Sequence, residues 1–480
     1  MKYDYDLIVV GSGPAGFSAA IQTTKFGKKV LLVEVDEKYL GGAWINSGTV
    51  PSKALRETAN VVSKFTGLFG NLDGKKPYER YKMADLLKFK NQVVEYENSE
   101  VKRNLIKNEV HTARGYGKLV DKNTIEVADQ LGNNKRYTSK HILLCTGSKP
   151  EPPKNFEIDN KIIFDTTSLL ELSHVPRRLV IIGSGVNAIE YATIFASLGT
   201  KVNILNSNQV FMPFLDEEIR REFNRAMAAH RLVSYANVEV LDVGLDRLRN
   251  CTRVTFREKG SREKQVIETE QVIHFGVRKP NTKNLGLEEV GVSVDKEGFV
   301  KVDGSYKTNV DNIYAAGDMI GFPGLASASF TQGRLASCNM YGNAELKLKG
   351  SHPYGIYSIP EISSIGLTEK EAIDNGIDVT VGRAYYSELT KSSVSNNSVG
   401  LLKLVFESSS LKLVGIHIVG EGACDLIHIG QAVMNLGGSI NYFVDHILNY
   451  PTYSEAYRIA AFNGLNRVNK AGVKYRDETD

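Results

Sequence analysis

Leu7-Ile8-Val9-Val10-Gly11-Ser12-Gly13-Pro14-Ala15-Gly16 is the stretch that decides the fold. Its first four residues are apolar and mostly β-branched, as a parallel strand buried on both faces requires. The glycines follow at once. A helical stretch then runs to Phe26 and ends at Gly27, and a second strand over residues 30–33 ends at Glu34. Gly11 permits a tight turn, Gly13 lets the backbone approach a pyrophosphate, and Gly16 lets helix and strand pack closely. The helix N-terminus turns its free N–H groups toward the anion. Glu34 stands where a carboxylate can accept hydrogen bonds from both hydroxyls of a ribose. A lone glycine turn says little; with strand, helix and acid in place it predicts a dinucleotide-binding βαβ unit.

The pattern returns. Leu179-Val180-Ile181-Ile182 precedes Gly183-Ser184-Gly185-Val186-Asn187-Ala188, a helix runs through Phe195, and Gly199 closes it before a strand over residues 201–205. Gly11 and Glu34 are 23 positions apart, and so are Gly183 and Asn206. This is an internal repeat of architecture, and two such units predict two dinucleotides in one chain. Asn206 stands where the first unit has Glu34, followed by Ser207-Asn208-Gln209. An acid there favours NAD and a nearby Arg favours NADP. This loop offers neither, which reads as tolerance of both nucleotides or as drift without meaning.

At 480 residues the chain is too long for one core, so two to four domains are expected. An apolar fraction of 42% with 24% charged residues is that of a soluble globular protein. The formal charge of +4 is small and the basic residues are interspersed with acids, which excludes a nucleic-acid footprint. No apolar run approaches the ~18–20 residues of a membrane span. The first residues run straight into a strand without room for a signal peptide, so a cytosolic location is expected. Cys145, Cys251, Cys338 and Cys424 are too scattered for a local redox couple and read as buried reduced thiols. His428 and His446 have no partner at metal-ligand spacing, and no metal is expected.

Gly41-Gly42-Ala43-Trp44-Ile45-Asn46-Ser47-Gly48-Thr49-Val50-Pro51-Ser52-Lys53 resembles the redox motif of the flavin disulfide reductases, GGxCxNxGCxPSK. Every landmark is present except the two cysteines, replaced by Trp44 and Thr49. Further segments resemble the family in order along the whole chain. They are Cys145-Thr146-Gly147-Ser148, Gly276-Val277-Arg278-Lys279-Pro280-Asn281, Ile313-Tyr314-Ala315-Ala316-Gly317-Asp318, and the run from Tyr354 to Glu369. The family's His-Pro-Thr is here Asn449-Tyr450-Pro451-Thr452, with Glu455 kept. A phenol, of pKa about 10, does not serve as a thiol base near neutrality, so dithiol and base are lost together. The soluble pyridine nucleotide transhydrogenases resemble this chain most, since they also carry N-Y-P-T and a Thr at the second cysteine position. They can keep a cysteine near the first position and often carry an Arg after the second strand; this chain has neither.

The resemblance implies an α/β fold of two doubly wound Rossmann-type domains and a C-terminal α+β dimerisation domain. FAD is expected in residues 1–152 and 279–350, NAD(P) in residues 153–278, and a homodimer through residues 351–480. Non-covalent FAD is expected at Gly11, Gly13, Gly16, Glu34, Gly42, Lys53, Thr146, Gly147 and Asp318. The nicotinamide nucleotide is expected at Gly183, Gly185, Asn206 and Gly276. Lys53 is expected beside flavin N5 with Glu190 as its ion-pair partner, and Thr49, Tyr450 and Glu455 complete the catalytic set. Thr49 either hydrogen-bonds toward the flavin or fills the space of a thiol; Trp44 either stacks on a substrate or fills a gap. The activity implied is hydride transfer between NAD(H) and NADP(H) through FAD, with an NAD(P)H-dependent quinone or other acceptor reductase as the alternative. A redox-lapsed structural subunit is the third reading, opposed by the retained Lys53, Glu190 and glycine motifs.

Overall fold

In the computed structural model, the strand Tyr5–Val10 lies between Val30–Glu34 and Asn134–Leu144, parallel to both. His111–Arg114 and Ile313–Ala315 extend the sheet in parallel on either side. The near end of Asn134–Leu144 turns into an antiparallel meander with Thr124–Ala128 and Tyr116–Asp121. The structure describes residues 2–70, 74–246, 251–342, 346–347 and 350–477. Residue 480, the expected end of the C-terminal unit, lies outside them.

The unbroken apolar run is explained by burial on both faces. Leu7 and Val9 enter one core cluster and Ile8 and Val10 the opposite one, all at most 4% exposed. The helix Pro14–Lys25 covers one face, with Pro14 in its first turn, where a missing N–H costs nothing. It packs against the helix Ala326–Tyr341 so closely that a Cβ on Gly333 would sit 1.9 Å from the Ala15 carbonyl oxygen.

The second unit repeats the plan. Its five-stranded parallel sheet runs Leu232–Tyr235, Lys201–Leu205, Arg178–Ile182, Gln271–His274, Ile163–Asp165. A three-stranded antiparallel meander, Val238–Asp246, Cys251–Glu258 and Gln265–Thr269, precedes the strand that rejoins the centre. Gly11 and Gly183 thus end the central strands of two different sheets. The chain crosses between them through Ser148–Pro150 and Arg278–Pro280, which pair antiparallel. A third, five-stranded antiparallel sheet, Tyr354–Ile356, Ile362–Gly366, Leu413–Gly420, Gly400–Glu407, Val379–Tyr385, forms the C-terminal unit with helices that include Ala423–Asn435 and Glu455–Asp477. Among the described residues no helix is long and apolar enough to cross a membrane.

An ionic cluster fastens the second unit to the third. Lys403, 1% exposed in a strand of the C-terminal sheet, reaches Asp216 at 2.9 Å, Glu218 at 2.9 Å and Glu369 at 2.6 Å. Asp216 is itself the N-cap of the helix Glu217–Ala229, accepting from the Glu218 N–H at 3.0 Å. Arg383 forks onto Glu218. Burial raises the Glu218 carboxyl, but the hydrogen bonds from Arg383 and Lys403 outweigh it and hold it at about 2, against an ordinary 4.5. A carboxyl depressed on folding stabilises fully above its unfolded value and loses that contribution as pH falls through the folded one. Urea-denaturation stability should therefore decline as pH is lowered from about 4.5 toward about 2. Lys403→Met, which strands buried carboxylates, should cost roughly 3–5 kcal/mol near neutral pH in the same measurement.

Candidate active site

The glycine turn of the first unit is tied to its sheet on both sides. Gly11 N–H donates to the Val33 carbonyl at 2.8 Å, and Cys145 N–H to the Val10 carbonyl at 2.8 Å. At φ +101° Gly11 takes a backbone that side chains rarely adopt, and a Cβ there would lie 2.4 Å from the Cys145 oxygen. Gly16 lies beneath the turn, where a Cβ would strike the Gly11 oxygen at 1.9 Å. At Gly13, the N-cap of Pro14–Lys25, a Cβ would meet nothing within 4 Å. That open space at a helix N-terminus is a cradle for a phosphate group.

Glu34 closes the turn from the strand beside it. Its Oε2 accepts from Ser12 N at 2.9 Å and Ser12 Oγ at 2.6 Å, and its Oε1 accepts from Val35 N at 2.8 Å. A carboxylate offers about four lone-pair sites, so one remains for a ligand hydroxyl. The role of Ser12 was hidden in the sequence because it occupies a spacer position of the glycine motif.

From this turn a cavity of about 1130 Å³ runs through the molecule. Small-molecule sites usually span about 300–1,000 Å³, so its size suits an extended ligand such as a dinucleotide. Gly42, Trp44, Thr49 and Lys53 line one wall; Thr146, Gly147 and Asp318 line another. Thr146 Oγ1 donates to the Asn281 carbonyl at 2.7 Å, and Asn281 Nδ2 donates back to Thr146 at 3.0 Å. Asp318 accepts from Ser148 Oγ at 2.9 Å, and Arg278 Nε donates to that same hydroxyl at 2.8 Å. The strands that cross between units thus also hold the cavity wall. Asn187 and Tyr191, one turn apart on a helix of the second unit, face the same space.

Lys53 and Thr49 are also one turn apart, in the first turns of the helix Thr49–Phe69. Lys53 Nζ reaches both oxygens of Glu190, at 2.9 and 2.7 Å. Glu190 is 2% exposed, behind the cavity wall, and also accepts from Tyr357 N at 2.9 Å. The Tyr357 ring lies over Lys53, 4.8 Å from its Nζ, a contact for which the sequence carried no signal. Burial and nearby acids push the Tyr357 phenol up to about 12, so it stays protonated at neutral pH. Trp44 lines the cavity and packs edge-on against Phe330, with ring centroids 4.9 Å apart, and against Phe17. All four cysteines are free and buried, and burial pushes the thiols of Cys145 and Cys424 up. A thiolate nucleophile is therefore missing at this site.

Several residues singled out in the sequence lie off this wall. Gly183 ends its strand with N–H donated to Leu205 at 3.0 Å, in the way Gly11 does, and Gly185 caps the helix Val186–Ser197 with open space beside it. Gly276 stands at the crossing, where a Cβ would be 2.1 Å from the Glu151 oxygen. Asn206 is wholly buried, so the loop after it, and not Asn206, forms the surface there. Tyr450 is 66% exposed and bonds Thr390 Oγ1 at 2.6 Å, while Glu455 opens the last helix. Neither belongs to the cavity wall of its own chain.

Residues 5–333 match the model of the pyridine nucleotide-disulphide oxidoreductases, and residues 352–461 match that family's dimerisation domain. The chain is 36% identical over 475 residues to a soluble pyridine nucleotide transhydrogenase of Pseudomonas paraeruginosa, covering 97% of this chain and 99% of that one. It is 38% identical over 470 residues to a soluble pyridine nucleotide transhydrogenase of Mycobacterium tuberculosis, covering 97% and 98%. A HOCl-induced flavoprotein disulfide reductase of Escherichia coli, RclA, shares the fold with a TM-score of 0.86 at 24% identity, over 96% of this chain and 99% of that one. Glu34→Ala should weaken flavin retention by ~1.5–3 kcal/mol, the worth of a charged hydrogen bond. Flavin content after exhaustive dialysis is the measure, and unchanged content would remove Glu34 from the binding set.

Proposed function

The chain belongs to the pyridine nucleotide-disulphide oxidoreductase family, and on that premise we propose that it is an FAD-dependent pyridine nucleotide transhydrogenase working without a dithiol. The observation that carries this reading is the Lys53–Glu190 pair at a cavity wall whose cysteine positions hold Trp44 and Thr49. The apparatus for hydride transfer is retained and that for thiol exchange is gone. The similarity to proteins named soluble pyridine nucleotide transhydrogenase, end to end, supports the same activity.

FAD, when bound, would supply the hydride chemistry between nicotinamide nucleotides. The residues of this chain bind and bias it. We assign the flavin to residues 1–152 and 279–350, with its pyrophosphate at Gly11, Gly13 and the helix N-terminus. Glu34 takes its ribose, and Gly42, Thr146, Gly147 and Asp318 hold the remainder. The nicotinamide nucleotide falls to residues 153–278, along Gly183, Gly185, the loop after Asn206, and Gly276. Lys53, held in place by Glu190, favours negative charge at the reacting end of the cavity. Thr49 offers a hydroxyl one turn away. Residues 351–480 form a homodimer, and we place Tyr450 and Glu455, both outside their own chain's cavity, at the site of the partner. A cytoplasmic location accords with relatives that are named soluble.

The test uses purified holoprotein under anaerobic conditions. NADPH should bleach the flavin absorbance, and NAD⁺ added afterwards should restore it. Recovery only on adding quinone or air would move the assignment to an acceptor reductase. Reduction should proceed without a long-wavelength thiolate–flavin band, and lipoamide, glutathione disulfide and Hg(II) should be poor substrates. Efficient disulfide reduction would refute the reading. NADH and NADPH should both reduce the flavin, with specificity constants within about two orders of magnitude.

A further inference from the structure

We propose that Lys259 reads the 2′ position of the pyridine nucleotide and gives the second unit its means of holding a 2′-phosphate. The inference rests on the second unit being the nicotinamide-nucleotide site. It begins from the difference between the two repeats. In the first, the strand-end acid Glu34 lies at the cavity with lone-pair capacity to spare, and Asp36 follows it, paired with Arg114 at 3.4 Å. That end is acidic.

In the second, the matching end is neutral and then cationic. Asn206 is fully buried; its Oδ1 accepts from Asn208 N at 2.8 Å, and its Nδ2 has no partner among the described residues. Asn208 Nδ2 turns to Ser184 Oγ at 3.3 Å, the counterpart of Ser12 in the first glycine turn. The rim is therefore Ser207 and Asn208, and no carboxylate stands in it.

The cation arrives from elsewhere in the chain. Lys259 follows the strand Cys251–Glu258 of the meander, and backbone bonds hold it against the rim: Lys259 N to Asn237 O at 2.8 Å and Asn237 N to Asn208 O at 2.8 Å. Its Nζ donates to the Ser207 carbonyl at 2.6 Å. The side chain is exposed and forms no ion pair among the described residues. Arg257, two residues earlier, is committed to Glu239 across the strand pair. An ammonium carries three donors. One is used on Ser207, leaving two for a phosphate beside the rim. A 2′-hydroxyl is neutral and is not repelled by the ammonium, so NAD(H) is tolerated while NADP(H) gains a charged contact.

The measurement is calorimetric titration of the holoprotein with adenosine 2′,5′-bisphosphate and with adenosine 5′-monophosphate, which differ only in the 2′-phosphate. Lys259→Met should weaken the bisphosphate about tenfold relative to the monophosphate, and Lys259→Arg should restore most of the difference. The preference should also shrink as ionic strength rises. Stopped-flow reduction should show the KM ratio of NADPH to NADH moving by a similar factor in Lys259→Met. An unchanged ratio between the two probes, or an equal loss of both, overturns the inference. Failure of both probes to bind the unaltered protein overturns the nucleotide-site reading beneath it. The flavin re-oxidation test bears on transhydrogenation alone, so the two failures are distinguishable.

Discussion

A carboxylate buried to 2% exposure holds the three parts of the molecule in register. Glu190 lies on the helix Val186–Ser197 of the second unit, takes two hydrogen bonds from Lys53 of the first, and takes one from the Tyr357 N–H of the third. An isolated charge at that depth would be prohibitively costly, so each donor is required by the others. One turn further on, Thr193 accepts the Ile359 N–H at 3.0 Å and repeats the stitch. Lys53 is thereby a fixed cation at the cavity wall instead of a mobile surface lysine. The electrostatics of the site and the docking of the domains are one interaction.

The two nucleotide units show how one plan serves two purposes. Both carry the same backbone bonds from the glycine turn to the neighbouring strand, and both include an antiparallel meander, which in the first unit ends in the strand that rejoins the centre and in the second precedes it. They part at the third glycine of the motif, Gly16 against Ala188, and at the strand-end residue, Glu34 against Asn206. The first unit approaches its helix closely and offers an acid. The second leaves uncharged Ser207 and Asn208 at its rim, with Lys259 beside them.

The two cysteine positions of the motif are occupied by Trp44 and Thr49, both at the cavity wall. Trp44 fills the first cysteine position against Phe330 and Phe17, and large aromatic contacts of this kind add packing energy beyond plain burial. Of the two roles open to Trp44 in the sequence, gap filling is supported by these contacts, although its exposed edge still faces the cavity. Asn46, retained from the motif, ties the turn together by donating to Leu40 and Gly42 at 3.1 and 2.9 Å. The motif thus keeps a structural purpose after its thiols are gone.

The sequence by itself determined the two parallel-sheet units, because the strand, glycine turn, helix and strand-end residue all lie within about thirty residues of one another. Local sterics and burial on both faces settle such a unit without reference to distant contacts. The loss of thiol chemistry was legible for the same reason, since the two cysteine positions stand in one short motif. Other features join residues far apart in the chain. Lys403 is buried in its strand because the fold brings Asp216, Glu218 and Glu369 around it. Tyr357 over Lys53 and Lys259 beside Ser207 carry no local pattern either, being placed by domain docking and by strand pairing. Asn206 follows directly on the strand Lys201–Leu205, and its burial leaves Ser207 and Asn208 as the surface there. Periodicity and turn chemistry act over a few residues, whereas ion pairs and rims depend on which surfaces the whole chain brings within about 4 Å.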